Sequence, residues 1–408
     1  MRQAIFIIGK TDPQHRSIDT IRKLGYDVGI FYDDTVPLQR TELYDVVIPI
    51  DYSNIDMAIK QLRIHDVNIA GLICTYENYI IAKAKLGIHL GLPTISVAAA
   101  EKCTDKFLMR TAFASATPSI SPRFSTISSE SQLLHFASSS QYPLIIKPAN
   151  LVKSLLVLQC NNEKELVANY RYAKSSIGTL YEKYSIYGRT PQLIVEEFIT
   201  GTSCSVAAFV DSEGRPHFCD GIVGLTTAKE HGVDDGYIYS RTLPASLSPA
   251  LSAKIFAVAE KGIVALGMRS SAAHVELMYD GDSVKIIEIG ARIGGYRPRM
   301  YAYSYGLDLP AYEAALAIGQ QPGIHGSFKG HSAVYELFAS HEGTFSQISG
   351  NINTDLYSYF KVNAQKGVMT GPAKNGYKAA AIIIVTSQDK DIFNRACVAI
   401  DNLKVELE

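Results

Sequence analysis

No sign of charge dominates this 408-residue chain: 39 basic side chains stand against 40 acidic ones, and charged residues make up only 19%. No whole-molecule field would therefore draw it to nucleic acid or to an anionic membrane. Long apolar runs are missing too. The longest, residues 379–385, falls far short of the roughly 18 residues that span a bilayer. The apolar start at residues 4–8 is too short for a secretory signal and has no small-residue cleavage pattern, so it reads as a first buried strand. The six cysteines, Cys74, Cys103, Cys160, Cys204, Cys219 and Cys397, show neither CxxC nor CxH spacing, which removes the signal for a zinc site or a disulfide framework. A soluble protein of the reducing cytoplasm is expected, with no nucleic-acid or membrane partner. Familiar glycine signatures are also missing. Gly9-Lys10-Thr11 follows an apolar strand, but the position where a P-loop needs its first glycine is Ala4. No GxGxxG follows that strand, and no GxSxG elbow marks a nucleophile.

What is present is length for about two to three domains at roughly 150 residues each, and a change of habit along the chain. Residues 4–8, 27–31, 46–50 and 71–75 read as strands separated by helical stretches at 17–24 and 55–65, the alternation of a parallel α/β sheet. A helix at 104–116 and a Ser/Pro-rich connection over 119–129 follow, and a boundary is placed near residue 104. Beyond it, strands at 144–147, 155–159, 193–198, 205–210, 274–279 and 284–289 succeed one another through turns, as in antiparallel α+β architecture. Residues 170–188, rich in Tyr, Ser and Lys without clear period, read as a solvated helix end and loop. A strand-rich closing lobe after about 325 ends in an amphipathic helix over 391–402.

The strongest chemical signal lies between His274 and Gly295. Asp280-Gly281 supplies turn chemistry between two β-prone runs. Glu276 and Glu288 are equally far from Asp282, so a hairpin centred there sets them opposite one another on one face, with Cβ atoms roughly 4.5–5.5 Å apart. Two like charges so placed repel unless a proton or cation lies between them, and two hard carboxylates with room for water and phosphate suit Mg²⁺. A solvated hairpin edge softened by Lys285 is the equal alternative. Arg292 then offers a guanidinium fork, and Gly294-Gly295 lets backbone N–H groups approach an anion, unless the glycines simply end a strand. Lys147 closes the strand Leu144-Ile145-Ile146, where an ammonium needs either an anionic partner or a path to solvent. Lys106 sits in a helical first turn, where the dipole disfavours a cation; a phosphate would explain it, and so would the neighbouring Asp105. At 193–201 an apolar strand runs into Glu196-Glu197, a place where backbone can read the edge of a base, although surface glutamates are the default.

Taken in order, Lys106, Tyr142 to Pro148, Val195-Glu196-Glu197-Phe198, Glu276 and Glu288-x-x-x-Arg292-x-Gly294-Gly295 resemble the ATP-grasp superfamily, above all its carboxylate–amine ligases, the bacterial L-amino acid ligases included. The resemblance implies an α/β plus α+β fold: a parallel pre-ATP-grasp domain at 1–103, a two-part nucleotide-binding and catalytic region at 104–325 with a lid at about 118–200, and a C-terminal lobe at 326–408. It implies ATP with Mg²⁺ or Mn²⁺ as cofactors, small-molecule carboxylate and amine substrates, and a homodimer. By residue, Lys106 and Lys147 would contact phosphates, with Lys153 and Ser154 beside them. Glu196, Glu197, Phe198 and Ile199 would form the adenine hinge, and Ile145 and Ile287 would pack the base. Glu276 and Glu288 would hold the metal. Arg292 and Gly295, with Lys147, would act on the transferred phosphoryl group, and His274, Arg292, Gly294, Gly295 and Arg297 would face the substrate, with Tyr296 and Arg299 as further specificity candidates.

The chain departs from the family pattern at three places. The segment over the phosphates, residues 149–156, contains no glycine; Ser203 stands where an acidic residue commonly binds ribose, leaving Glu197 as its substitute; and Gly290 stands where asparagine is common. A nucleotide-binding or regulatory protein with little turnover is therefore the second expectation, and a purine-pathway or carboxylase-type acceptor the third.

Overall fold

The computed structural model describes residues 3–11, 16–35, 37–38, 40–62, 67–151, 155–184, 189–233 and 235–408. The first sheet has the strand order Val46–Ile50, Asp27–Asp33, Gln3–Gly9, Asn68–Ile73, every pair parallel. Ile5, Phe6, Ile7 and Ile8 are all fully buried, the unbroken apolar run of a strand covered on both faces.

The second sheet is antiparallel and four-stranded, in the order Phe124–Ile127, Leu193–Glu197, Leu144–Pro148, Leu158–Cys160. The strand expected at 155–159 begins only at Leu158, and this region differs from the sequence expectation in two further places. Phe124–Ile127, inside the Ser/Pro-rich stretch read as a connection, is a strand paired with Leu193–Glu197. The stretch from Tyr170 onward is the interior of a 21-residue helix, Glu163–Lys183. Its core stripe is Leu166, Tyr170, Ala173, Ile177 and Tyr181, which has helical spacing. Two of those five positions are tyrosines, so their hydroxyls disguise the apolar period. Residues 185–188 lie outside the described residues.

The third sheet carries the site. Among the described residues it has nine strands, and its main path runs from the hairpin Ser283–Gly290 and Ser271–Asp280 through Thr202–Val210, Val223–Thr227 and Ile238–Leu243 to His331–Leu337, Ala381–Ser387 and Tyr359–Val362. Residues after 325 thus extend this sheet. A three-stranded sheet made by Gly343–Ser349, Met369–Thr370 and Lys404–Leu407 packs beside it, with Phe345 and Ile348 in one cluster with Tyr335 and Ile383.

The parallel sheet docks on the rest through Asn68–Ile73 and the helix Leu309–Ala317. At Gly71 a Cβ would lie 2.6 Å from the Ala317 carbonyl oxygen and 2.8 Å from its carbon. Those atoms are backbone and cannot swing aside. Gly71→Ala is therefore expected to lower unfolding free energy by ~1–3 kcal/mol, measured by urea denaturation; an unchanged midpoint would show that the two elements separate without cost.

Candidate functional site

The hairpin strands Ser271–Asp280 and Ser283–Gly290 pair Glu276 directly with Glu288. The route to that pairing is not the symmetric one. The turn pairs Asp280 with Ser283 and Leu277 with Ile286, so an unbroken ladder would bring Ile287 opposite Glu276; a β-bulge between Glu276 and Leu277 inserts one residue and brings Glu288 there instead. A bulge also suspends strict alternation. Ile287 and Glu288 are both partly exposed, whereas Ile286 and Ile289 are fully buried. Neighbouring residues 287 and 288 therefore share one face.

Beneath that face lies a fully buried guanidinium. Arg110, in the helix Lys106–Ala116, donates from Nε to Glu196 Oε1 at 2.8 Å, from Nη2 to the Ile287 carbonyl at 2.8 Å and from Nη1 to the Ile286 carbonyl at 3.2 Å. Lys147 Nζ lies 2.6 Å from Glu196 Oε2. Glu196 is only 3% exposed, so its side chain is no surface glutamate. Burial opposes its ionisation, but Arg110 and Lys147 override that and lower its pKa to about 2. Burial, with Arg110 adding repulsion, brings Lys147 down to about 8 in spite of Glu196.

A second knot of alternating charge stands at the edge of the first sheet. Lys106 Nζ donates to the Leu151 carbonyl at 3.0 Å and lies 3.3 Å from Glu288 Oε2. Burial works against its charge, but Glu288 and Glu77 more than offset it and its pKa is raised. Asp105 does not neutralise this lysine; it caps the helix, accepting from the N–H groups of Phe107 and Leu108. Arg292 donates from Nη2 and Nε to Glu77 Oε2 at 2.9 and 3.2 Å. Burial, reinforced by Glu288, raises the Glu77 pKa against the pull of Arg292. Neither Glu77 nor Arg110 was expected from sequence. Glu77 follows the carboxyl end of the parallel strand Asn68–Ile73, where open α/β sheets place ligands. Arg110 occupies the core stripe of its helix with Met109 and Phe113, a cation where an apolar residue belongs.

His274 donates from Nε2 to Glu276 Oε1, 3.1 Å away, in the tautomer this contact requires; burial depresses the His274 pKa. Burial opposes the charge on Glu276 as well, yet the His274 hydrogen bond together with Arg297 and Arg292 lowers it to about 2. Gly294 is pressed against this pair: a Cβ there would lie 2.6 Å from His274 Nδ1 and 2.9 Å from Arg297 Cγ, whereas nothing crowds Gly295. Arg297 is buried, donating to Ser205 Oγ at 2.8 Å. Arg299 turns away and stacks 4.9 Å over Tyr359, and Tyr296 donates to Glu336 at 3.0 Å.

Two hollows adjoin these residues. One, of about 140 Å³, is lined by Glu197, Phe198, Ile199, Met278 and Lys285 among others. The other, about 550 Å³, lies between the first sheet's helices and Lys106, with Glu77, Glu101, Asn150 and Arg189 in its wall. Met278 was not singled out from sequence; it shares its strand face with Glu276, two residues away. Lys153 and Ser154 lie outside the described residues. Ile145 sits on the strand Leu144–Pro148 opposite Glu196.

Residues 140–298 match the family model of the ATP-grasp domain. The chain is 24% identical over 367 residues to the uncharacterized protein y4rH of Sinorhizobium fredii, covering 86% of this chain and 71% of that protein. An L-amino acid ligase from Bacillus licheniformis superposes over the whole of both chains with a TM-score of 0.80 at 18% identity. The biotin carboxylase domain of Hydrogenobacter thermophilus 2-oxoglutarate carboxylase, solved as a dimer with MgADP, ADP and bicarbonate, covers all of this chain and 91% of its own with a TM-score of 0.71 at 17% identity. At such identities the likeness establishes the fold.

Glu196 has a folded pKa near 2 against an ordinary 4.5, so the stability it contributes is present above about 4.5 and is lost as pH falls towards 2. Glu196→Gln should cost ~3–5 kcal/mol at pH 7, because it strands Arg110 and Lys147, and should flatten the acid limb of stability. Urea melts at pH 7, 4 and 3 read both effects. Equal acid sensitivity in the variant and the wild type would refute the assignment.

Proposed function

Because the chain carries an ATP-grasp domain, we propose that it is an ATP- and Mg²⁺-dependent carboxylate–amine ligase that joins an amino acid or similar small carboxylate to an amine through an acyl phosphate. The observation that carries this reading is Glu276 paired with Glu288, with Lys106 3.3 Å from the second carboxylate.

The donor set fits Mg²⁺. The two carboxylates are hard oxygen donors on one face, with side chains 41% and 26% exposed. Among the described residues no group of three or more His, Cys, Asp or Glu could cage an ion. A cation held by these two alone keeps positions for water and phosphate oxygens, the habit of Mg²⁺; bound there, it would neutralise phosphate charge. Mn²⁺ would satisfy the same donors.

The rest follows from the chain's own groups. The adenine is assigned to the 140 Å³ hollow, whose wall includes Phe198, Ile199 and Met278 but neither Ile145 nor Ile287. The N–H groups of Glu197 and Phe198 are already given to the Arg123 and Pro143 carbonyls, so the base edge is read further along, at Ile199. Lys147 and Lys106 supply cations to the phosphates. A substrate carboxylate oxygen attacks the γ-phosphorus as the bond to ADP breaks, and Arg292 with the open Gly295 backbone stabilises the oxygens of the transferred group. An amine then attacks the acyl carbon, phosphate leaves, and the nitrogen loses its proton. The 550 Å³ cleft walled by Glu77 and Lys106 is the assigned approach for the amine. The second reading, nucleotide binding without turnover, draws on the glycine-free segment 149–156 and on Lys106, whose ammonium is already held by the Leu151 carbonyl.

ADP and phosphate release measured across pairs of amino acids should depend on both partners and fall roughly 10²–10³-fold in Lys147→Ala. Substrate-independent background from both proteins would sink the ligase, and tight MgATP binding without turnover would select the second reading. Release that requires bicarbonate would move the acceptor to the carboxylase type. Since Lys147 loses its proton near pH 8, ATP affinity should weaken as pH rises through that value. Lys147→Arg, charged throughout, should flatten the profile; an unaltered slope would remove Lys147 from the phosphate site.

A further inference from the structure

A bulge leaves the ladder locally broken, so its backbone polar groups need other partners. The bulged strand Ser283–Gly290 is also the edge of its sheet, and two of its carbonyls accept from one side chain. Arg110 is 0% exposed and sends two of its guanidinium nitrogens to two successive carbonyls, Ile286 and Ile287, at the inserted residue, while its third edge grips Glu196 at 2.8 Å. Its planar fork matches this demand; an ammonium, a single point charge, cannot span both carbonyls and the carboxylate in one plane. The residue reaches across 176 positions of sequence to do so.

We propose that Arg110 is a positioning residue: by holding the Ile286 and Ile287 carbonyls it fixes the bulge that sets Glu288 opposite Glu276 and turns Ile287 to the same face. The inference rests on the reading that those two glutamates hold the metal, although the bulge itself can be tested without any metal. Were Arg110 only the counter-ion of Glu196, its loss and the loss of Glu196 would have the same effect on the hairpin. As the lock of the bulge, it acts on the hairpin even where Glu196 is neutral.

Three proteins separate these roles: wild type, Arg110→Lys, which keeps a cation beside Glu196 but loses the fork, and Glu196→Gln, which keeps the fork on both carbonyls. Local opening of residues 283–290 in the metal-free proteins, read by hydrogen exchange against each variant's own global unfolding free energy, should be accelerated in Arg110→Lys and near wild type in Glu196→Gln. Mn²⁺ affinity in the presence of ADP, read by paramagnetic resonance, should fall about 10–100-fold in Arg110→Lys, the usual cost of losing a group that orients ligands. Once ADP is saturating it should fall clearly less in Glu196→Gln than in Arg110→Lys. Identical behaviour of the two variants, or wild-type exchange in Arg110→Lys, overturns the proposal. Should Arg110→Lys fail to fold, Arg110→Gln combined with Glu196→Gln removes that buried charge pair together, and its exchange rate is compared with that of Glu196→Gln alone. Absence of Mn²⁺ binding in the wild type would refute the metal reading while the exchange measurement still decides the role of Arg110.

Discussion

A guanidinium with no access to water must be surrounded by acceptors, and the architecture around Arg110 is what that requirement produces. Its partners come from two places: Glu196 on the four-stranded sheet and the hairpin of the nine-stranded sheet. None of these partners is worth burying alone. An unpaired carboxylate or cation inside the protein costs several kcal/mol, so Arg110, Glu196 and Lys147 persist only together. The relative placement of the two sheets is thereby tied to a set of hydrogen bonds, which tolerate displacement far less than apolar contact does. The lysine assigned to the phosphates and the hairpin assigned to the metal lie on opposite sides of the same carboxylate–guanidinium pair.

The second knot, Lys106, Glu288, Glu77 and Arg292, extends the same logic to the parallel sheet. It consists of two opposite-charge contacts, 3.3 Å between Lys106 and Glu288 and 2.9 Å between Arg292 and Glu77. Glu77 belongs to the first α/β unit, so that unit contributes a charge to the site in addition to packing against it. A divalent cation and a triphosphate entering this knot would replace internal pairs by external ones. Each cation held by a carboxylate at rest has a defined direction before the phosphates arrive, which is preorganisation in the electrostatic sense.

Much of this was legible in the sequence where local pattern and chemistry coincide. The parallel strands announced themselves as apolar runs, and the hairpin by Asp280-Gly281 between β-prone segments. Glu276 and Glu288 could be set opposite one another by counting. Lys147 stood out because an apolar strand ended in an ammonium. What could not be read depends on contacts distant in sequence: Glu196 meets Arg110 across 86 positions and Glu77 meets Arg292 across 215. Nothing in Val195-Glu196-Glu197 distinguishes the inward glutamate from the outward one, except the strand's alternation combined with knowledge of which face is covered. The long helix Glu163–Lys183 was obscured for a different reason, since tyrosines serve both as core and as polar residues.

The count that aligned the two glutamates also conceals the device that makes the alignment work. Symmetry about Asp282 describes a turn centred one half-step later than the one present, in which Asp280 faces Ser283. An uninterrupted ladder from that turn would place Ile287 opposite Glu276 and send Glu288 to the other face. The inserted residue corrects the register and at the same time lets an apolar side chain and a carboxylate, adjacent in sequence, look the same way. A site of the kind proposed, holding a base and a metal within a few ångströms, needs that juxtaposition, and a regular strand cannot supply it. The bulge lies on the edge strand of the sheet, and a buried arginine donates to two carbonyls there, Ile286 and Ile287. The departure from ideal sheet geometry and the departure from an apolar core are therefore one feature, each accounting for the other.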